Sequence, residues 1–194
     1  METPLQPRRI WLDDGDGVLS PSMSTKRSLK DLDGFFADTR ATESILKSGR
    51  DPIIYEVYEC LHPQEGGHVN YGTTILYPGK VGKEFYMTKG HFHLKEASSE
   101  VYLGLEGEGL ILLQSRTGNS EYSRVSRGDV IYVPPGWGHR AVNAGTQKLV
   151  FFFTYQADAG HDYESVQKRG FPKLVVEEHG RVEVVDNPRF VTEI

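Results

Sequence analysis

The chain has 194 residues, of which 25% are charged and 38% hydrophobic, and a net charge of −5. This length suits one domain with a core that needs neither a disulfide nor a metal for stability, and the negative charge argues against a general nucleic-acid binder. The only cysteine is Cys60 and no apolar run has signal-peptide or bilayer-spanning length, so we expect a cytoplasmic protein without nucleic-acid or membrane partners.

The first 50 residues differ in character from the rest of the chain. Residues 1–25 are rich in Pro, Ser, Asp and Gly and predict an irregular arm. Leu29, Leu32 and Phe36 fit one face of a short helix, and Gly49 would end a second helix. We therefore assign residues 1–50 to an N-terminal arm and short helices packed on the main domain.

Residues 51–194 predict a single β domain. Short β-branched and aromatic runs recur about every 10 residues between Gly and Pro, which is typical of a sandwich or barrel. The strand candidates are residues 52–58, 73–77, 84–88, 101–105, 110–113, 129–133 and 149–155. Residues 162–169 predict a short capped helix ended by Gly170, and His179-Gly180 predicts the turn of a C-terminal β-hairpin.

The first chemical motif is Gly90-His91-Phe92-His93, and six residues separate His93 from Glu100. Residues i and i+2 of a strand share a face, so His91 and His93 can reach one ion. Two imidazoles and a carboxylate form a site that suits Fe, Mn, Ni, Co or Zn.

The second motif runs from Gly128 through Pro134 and Gly136 to His139 and Asn143. Its Pro-Pro-Gly turn would deliver His139 at the head of the next strand. Taken alone, a strand histidine is more often a polar surface residue than a ligand. The combination of the two motifs in this order favours a metal site.

Together the motifs resemble the two motifs of the cupin superfamily. The resemblance implies an all-β cupin fold, a double-stranded β-helix or jelly-roll barrel with short N-terminal and peripheral helices, and a metal bound by His91, His93, Glu100 and His139. The first motif departs from the usual pattern because six residues, not three or four, separate His93 from Glu100, and because Phe85 replaces a glycine. We expect the insert, residues 94–99, to form a loop before strand pairing resumes at Glu100.

The long gap and the surrounding residues resemble the cupin-type phosphoglucose isomerases, known mainly from archaea with some bacterial members. The resemblance covers about residues 25–188 and is carried by residues 51–58, 77–93, 100–102, 133–140, 157–163 and 185–188. It implies a homodimer that interconverts glucose 6-phosphate and fructose 6-phosphate. It also implies one divalent metal per subunit, for which we favour Fe²⁺, with Ni, Mn, Zn or Co as alternatives.

The resemblance also implies roles for single residues. Catalysis would involve Glu100, Tyr102 and His139, with Glu100 as both ligand and base for the proton between C1 and C2. A metal-assisted hydride shift is the competing mechanism. The residues implied in phosphate binding are Tyr55, Thr74, Thr88, the backbone of Gly90, Tyr155 and His161. His161 has separate support, because it precedes a predicted helix and helix N-termini attract anions.

Two other functions use the same fold. A cupin dioxygenase or decarboxylase would have the same four ligands, and an apolar or Arg-lined pocket would favour it. A non-catalytic sugar-phosphate-binding cupin is the second alternative. A pocket with Thr and Tyr hydroxyls and a His imidazole near the metal would favour the isomerase, with mannose 6-phosphate as an additional possible substrate.

Overall fold

The computed structural model describes residues 6–13 and 15–191, so the first five residues of the predicted arm, Asp14 and the last three residues of the predicted β domain lie outside it. The described part is mostly β. Its elements are β1 (Trp11–Leu12), β2 (Leu19–Ser20), β3 (Met23–Ser28), a 3-10 helix (Lys30–Leu32), α1 (Thr39–Lys47), β4 (Ile53–Cys60), β5 (Val69–Leu76), β6 (Lys80–Val81), β7 (Glu84–Phe85), β8 (Glu100–Glu106), β9 (Glu108–Ser115), β10 (Ser120–Ser126), β11 (Val130–Val133), β12 (Trp137–Val142), β13 (Leu149–Gln156), α2 (Tyr163–Arg169), β14 (Lys173–Glu178) and β15 (Arg181–Asp186).

The largest sheet has six antiparallel strands in the order β11-β8-β13-β5-β4-β3. Its centre is the pair β13 and β5, in which the apolar run from Leu149 to Phe153 lies opposite Leu76 to Gly72. Strands buried on both faces read as continuous apolar runs rather than as alternating ones. This explains why the segment from 149 to 155 stands out in the sequence.

The other sheets are smaller. One has the order β10-β9-β12 and another the order β15-β14-β7-β6. Isolated bridges connect the segment between β7 and β8 to β12, through Met87 with Val142 and His91 with His139. One apolar cluster includes side chains from the six-stranded sheet, such as Phe151, and from β9 and β12, such as Ile111. The all-β cupin fold is confirmed.

The N-terminal region is more regular than its composition indicates. Residues 23–28 form β3, which pairs with β4 and extends the six-stranded sheet, so the irregular arm predicted up to residue 25 is wrong for this part. The helix predicted around Leu29, Leu32 and Phe36 is only the 3-10 turn, although all three side chains are buried. Tertiary burial therefore explains these apolar positions better than helical periodicity does.

Three local predictions are confirmed. Helix α1 stops at Lys47, just before Gly49, and α2 runs from its N-cap Asp162 to its C-cap Gly170. Strands β14 and β15 form the C-terminal hairpin, and both turn residues, His179 and Gly180, have positive φ. A positive φ at both positions is what a two-residue type I′ turn requires. No helix in the described ranges is long and apolar enough to cross a membrane.

Candidate metal centre

Four side chains from three parts of the chain converge on one point. Each of His91, His93, Glu100 and His139 offers a ligand atom, and these atoms all lie within 4.8 Å of one another. Oε2 of Glu100 lies 3.8, 3.2 and 3.1 Å from Nε2 of His91, His93 and His139, respectively. The four residues that the sequence predicts as ligands are therefore neighbours in space.

The fold orients these rings through their outer nitrogens. Nδ1 of His93 lies 3.2 Å from the carbonyl oxygen of Ser98, and Nδ1 of His139 lies 3.4 Å from that of Trp137. A carbonyl can only accept, so each Nδ1 carries the proton and each Nε2 keeps its lone pair for the centre. A backbone carbonyl behind a histidine is the usual outer partner of a metal ligand.

The residues fit a divalent metal on a second ground. Nε2 of His91 and Nε2 of His139 are buried and have no hydrogen-bond partner. Leaving such a nitrogen unpaired costs about 1–3 kcal/mol, which a metal ion would remove. Three imidazoles and one carboxylate match the preferences of first-row transition metals.

Burial and mutual contact set the charge state of the cluster. Burial would raise the pKa of Glu100, but its close contacts with the imidazoles, His139 first and then His93 and His91, outweigh burial and hold the pKa well below its usual range. Burial, together with repulsion from His139 and His161, lowers the pKa of His91 well below its ordinary value. The carboxylate is therefore ionised beside a neutral His91, which is the state that metal binding requires.

A cavity of about 180 Å³ opens directly beside the cluster. It reaches three of the four candidate ligands and contains every other residue that the sequence predicts for the site. Its lining residues are Thr25, Arg27, Tyr55, Val57, Glu59, Thr74, Thr88, Gly90, His91, Glu100, Tyr102, His139, Phe151, Phe153, Tyr155, His161 and Tyr163. The mouth and walls thus come from β3, β4, β5, β8, β12 and β13 and from the loops that precede β8 and α2.

Tyr102 and Glu100 face the cavity together, as their i, i+2 spacing on β8 predicts. Burial, and then the charge and hydrogen bond of Glu100, raise the pKa of Tyr102 well above its ordinary value. The ring of Tyr102 also packs edge-on against His139 and Phe151. Its hydroxyl is therefore a proton donor held beside the carboxylate.

The hydroxyl of Tyr155 donates to Oε1 of Glu59 over 2.6 Å, and its ring stacks on His93 at a centroid distance of 6.0 Å. Burial raises the pKa of Glu59, although the hydrogen bond from Tyr155 opposes this effect. Sequence reasoning did not include Glu59 in the site. A second carboxyl group therefore lies in the cavity wall away from the metal cluster.

Thr88 and Gly90 lie on the wall next to β12. Oγ1 of Thr88 accepts a hydrogen bond from the backbone N–H of Ala141 over 3.1 Å, which leaves its own proton free to point into the cavity. Gly90 has φ +70°, and a Cβ there would lie 2.8 Å from the carbonyl oxygen of His139. Only glycine tolerates both this conformation and this approach, which brings the His91 segment against β12.

His161 lies in the cavity, but not for the helix-based reason given above. The N-terminus of α2 is already occupied, because the carboxylate of Asp162 accepts from the backbone N–H and the hydroxyl of Ser165. A carboxylate at this helix end disfavours a second anion there, so the helix gives His161 no support and its phosphate contact stays a prediction. The His161 ring packs edge-on against His91 at 4.3 Å between centroids, and burial lowers its pKa to about 4.

Several lining residues were not predicted from the sequence. They are Thr25 and Arg27 on β3, Val57 and Glu59 on β4, Phe153 on β13 and Tyr163 at the start of α2. Tyr163 follows His161 by two residues and could have been found by that spacing. Phe151, which the sequence favours as a core residue, is both buried and part of the wall. No local sequence pattern predicts that β3 lines the cavity, because this depends on its pairing with β4, more than twenty residues away.

Comparisons with known proteins show what the whole chain is similar to. The family model described as glucose-6-phosphate isomerase (GPI) matches residues 26–192. The chain is 47% identical over 185 residues to the glucose-6-phosphate isomerase of Thermococcus kodakarensis, covering 95% of this chain and 97% of that protein. It is 45% identical over the same shares of both chains to that of Pyrococcus furiosus. It is 35% identical to that of Sinorhizobium medicae, covering 90% of this chain and 82% of that protein.

Among solved structures, oxalate decarboxylase of Bacillus subtilis overlaps with 55% of this chain and 27% of its own at a TM-score of 0.44 and 22% identity. An overlap this partial has no bearing on activity.

Proposed function

The chain belongs to the cupin-type glucose-6-phosphate isomerase family, and on this basis we propose that it interconverts glucose 6-phosphate and fructose 6-phosphate with a metal held by His91, His93, Glu100 and His139. The observation that carries the metal dependence is the convergence of four ligand atoms within 4.8 Å at the edge of the cavity. When bound, a divalent metal would act as a Lewis acid toward the oxygens on C1 and C2 of the open-chain sugar.

Glu100 is the residue proposed to move the proton between C1 and C2. It is the carboxylate at the junction of cluster and cavity, and the pKa shift described above keeps it ionised. Ligation would weaken it as a base, so its proton transfer depends on an oxygen that is free or only weakly bound. The Tyr102 hydroxyl, which lines the cavity two residues from Glu100 on the same strand, is proposed to orient this carboxylate and to contact a sugar oxygen. A hydride shift between the two carbons would leave Glu100 as a ligand only.

The phosphate group is proposed to bind where neutral donors are concentrated. The candidates are the side chains of Tyr55, Thr74, Thr88, Tyr155 and His161 and the backbone N–H of Gly90. Hydroxyl and amide donors in a sheltered cavity can bind a dianion, because they replace the hydrogen bonds that water would make.

The lining of the cavity favours the isomerase over the other cupin functions. Hydroxyl groups and imidazoles dominate its polar part, and Arg27 is a single guanidinium rather than an Arg-lined wall. A dioxygenase or decarboxylase would need little of this hydroxyl lining. Mannose 6-phosphate differs from glucose 6-phosphate only at C2 and stays a candidate additional substrate.

Four further properties are proposed from the family rather than from the site. We propose Fe²⁺ as the metal, with Ni, Mn, Zn or Co as alternatives, because ligands of this type follow metal supply as much as affinity. We also propose a homodimer that acts in the cytoplasm, in glycolysis and gluconeogenesis.

The decisive experiment is a coupled assay of fructose 6-phosphate conversion before and after treatment with EDTA, and after addition of Fe²⁺, Ni²⁺, Mn²⁺ or Zn²⁺. We expect EDTA to abolish conversion and at least one metal to restore it. Conversion that persists in a protein shown to be metal-free would refute the metal dependence. No conversion with any metal would refute the isomerase function.

A further inference from the structure

Arg27 brings a positive charge into a cavity whose predicted phosphate contacts are all neutral. It lies on β3, the edge strand of the six-stranded sheet, and faces the cavity together with Thr25. Lys26, between them, points to the other face, where its Nζ lies 3.1 Å from Oε1 of Glu56. Alternation along the strand therefore gives Arg27 its inward direction.

The register of β3 places Arg27 beside one of the predicted phosphate ligands. Arg27 lies opposite Tyr55 on β4, and both side chains line the cavity. Burial raises the pKa of Tyr55, and the charge of Arg27 opposes this rise. Tyr55 also interacts with the backbone of Lys89, which lies between Thr88 and Gly90. Arg27 therefore lies beside the part of the cavity wall that contains three candidate phosphate contacts, namely Tyr55, Thr88 and Gly90.

An irregularity in the strand pairing coincides with this position. The register shifts between Arg27 and Ser28, so that Ser28 lies opposite Ile53 rather than Ile54. Such bulges re-aim a side chain and are common beside binding sites. The side chain of Arg27 is half-buried, so its charge is partly shielded from solvent.

The charge of Arg27 is available for a ligand. It is the one lysine or arginine among the described residues that line the cavity. The charge of Arg27 adds to the lowering of the Asp31 pKa, which is due first to the hydrogen bond from the backbone of Ser28. Arg27 forms no ion pair within the described ranges.

A sugar phosphate carries a charge of about −1.5 to −2 at neutral pH, and moving it into a cavity of neutral donors loses much of its solvation. A planar guanidinium matches two phosphate oxygens at once, which an ammonium cannot do.

From this arrangement we propose that Arg27 is the cationic anchor of the substrate phosphate and selects phosphorylated over free sugars. The proposal rests on the proposed function for the sugar part of the ligand, but not for the recognition of phosphate. It adds β3 to the site and makes the edge of the six-stranded sheet part of substrate binding.

The test compares R27M and R27K with the wild-type metal-loaded enzyme. R40M is the matched control, because Arg40 is an exposed arginine on α1 that does not line the cavity. The measurements are KM and kcat for fructose 6-phosphate, inhibition by inorganic phosphate, and direct binding of inorganic phosphate by calorimetry. Thermal unfolding and metal content verify that each variant is folded and loaded.

We expect R27M to raise KM and to weaken phosphate inhibition by a similar factor of about 10–100, the loss typical of a charge-assisted hydrogen-bond pair, with kcat changed only a few-fold. R27K should recover part of the affinity, and R40M should match the wild type. KM and phosphate affinity within twofold of the wild type in folded R27M would overturn the proposal. If R27M does not fold, R27K decides: phosphate affinity equal to the wild type would overturn it, and a several-fold loss would support the guanidinium fork.

The same data separate this proposal from the proposed function. Phosphate binding that requires Arg27 in a protein without isomerase activity would refute the function and support the anchor. Full isomerase activity with phosphate binding that is independent of Arg27 would refute the anchor and leave the function intact.

Discussion

Nε2 of His93 lies 3.2 Å from Oε2 of Glu100, although a six-residue loop separates the two residues in the chain. The loop brings His93 and Glu100 together because its backbone forms hydrogen bonds within the loop and to the segment before α2. The N–H of Ser98 donates to the carbonyl of Lys95, and the N–H of Lys95 donates to that of Ala159. The carbonyl of Ser98 then contacts Nδ1 of His93, so the insert helps to orient the ligand that precedes it.

We predict that H139A loses metal and activity together while the protein stays folded. Removal of one of four ligands should lower metal affinity and activity at least about 100-fold, since even loss of an outer partner costs 10–100-fold. The measurement is metal content together with the isomerase assay. H68A is the control, because His68 lies at a surface ion pair with Glu65. Wild-type metal content in H139A would show that the ligand assignment is wrong.

We predict that E100Q lowers kcat by about 10²–10⁴-fold, the usual effect of removing a general base. The reaction run in D₂O should introduce deuterium at C2 of glucose 6-phosphate in the wild type. Metal content must be measured beside kcat, because Glu100 is also a proposed ligand. Wild-type turnover without any solvent deuterium in the product would refute proton transfer through Glu100 and support the hydride shift.

We predict that G90A is less stable than G128A, although both glycines have positive φ. The backbone conformation should cost both variants about 1–2 kcal/mol. At residue 90 the new Cβ would also meet the His139 carbonyl, Phe171 and Arg140 within 2.9 Å, whereas nothing lies within 4 Å at residue 128. This overpacking should add about 1–3 kcal/mol and weaken metal binding. Equal free energies of unfolding for the two variants would contradict the close packing of the His91 segment on β12.

We predict that E84Q flattens the dependence of stability on pH. Burial raises the pKa of Glu84 from 4.5 to about 7, even though its carboxylate accepts from the backbone N–H of Ala37. The native state then binds more protons than the unfolded state between these values. The wild type should therefore lose stability, by about 3 kcal/mol at most, as pH rises from 4.5 to 7.

Denaturant unfolding at several pH values measures this effect. E121Q is the matched control, since Glu121 is an exposed carboxylate on β10. Parallel pH profiles for E84Q and the wild type would show that Glu84 titrates normally in the native state.

The metal ligands and many of the strands could be predicted from the sequence because the patterns that indicate them are local. His91 and His93 are two residues apart, a Pro-Pro-Gly turn precedes His139, and the strands alternate or form continuous apolar runs. Helix α2 and the C-terminal hairpin follow from capping and turn residues for the same reason. The resemblance then connected these local signals and supplied the phosphate contacts.

Only the tertiary structure placed Arg27 and Glu59 in the cavity. Their positions depend on the register of β3 against β4 and of β4 against β5. Arg27 and Tyr55 lie opposite each other although they are 28 positions apart in the chain. Pairing between distant strands is set by which faces the whole sheet buries, and not by the local pattern of a six-residue strand with exposed positions. The sequence by itself therefore determined the candidate metal ligands, and the assembled sheet decided which charges surround the substrate.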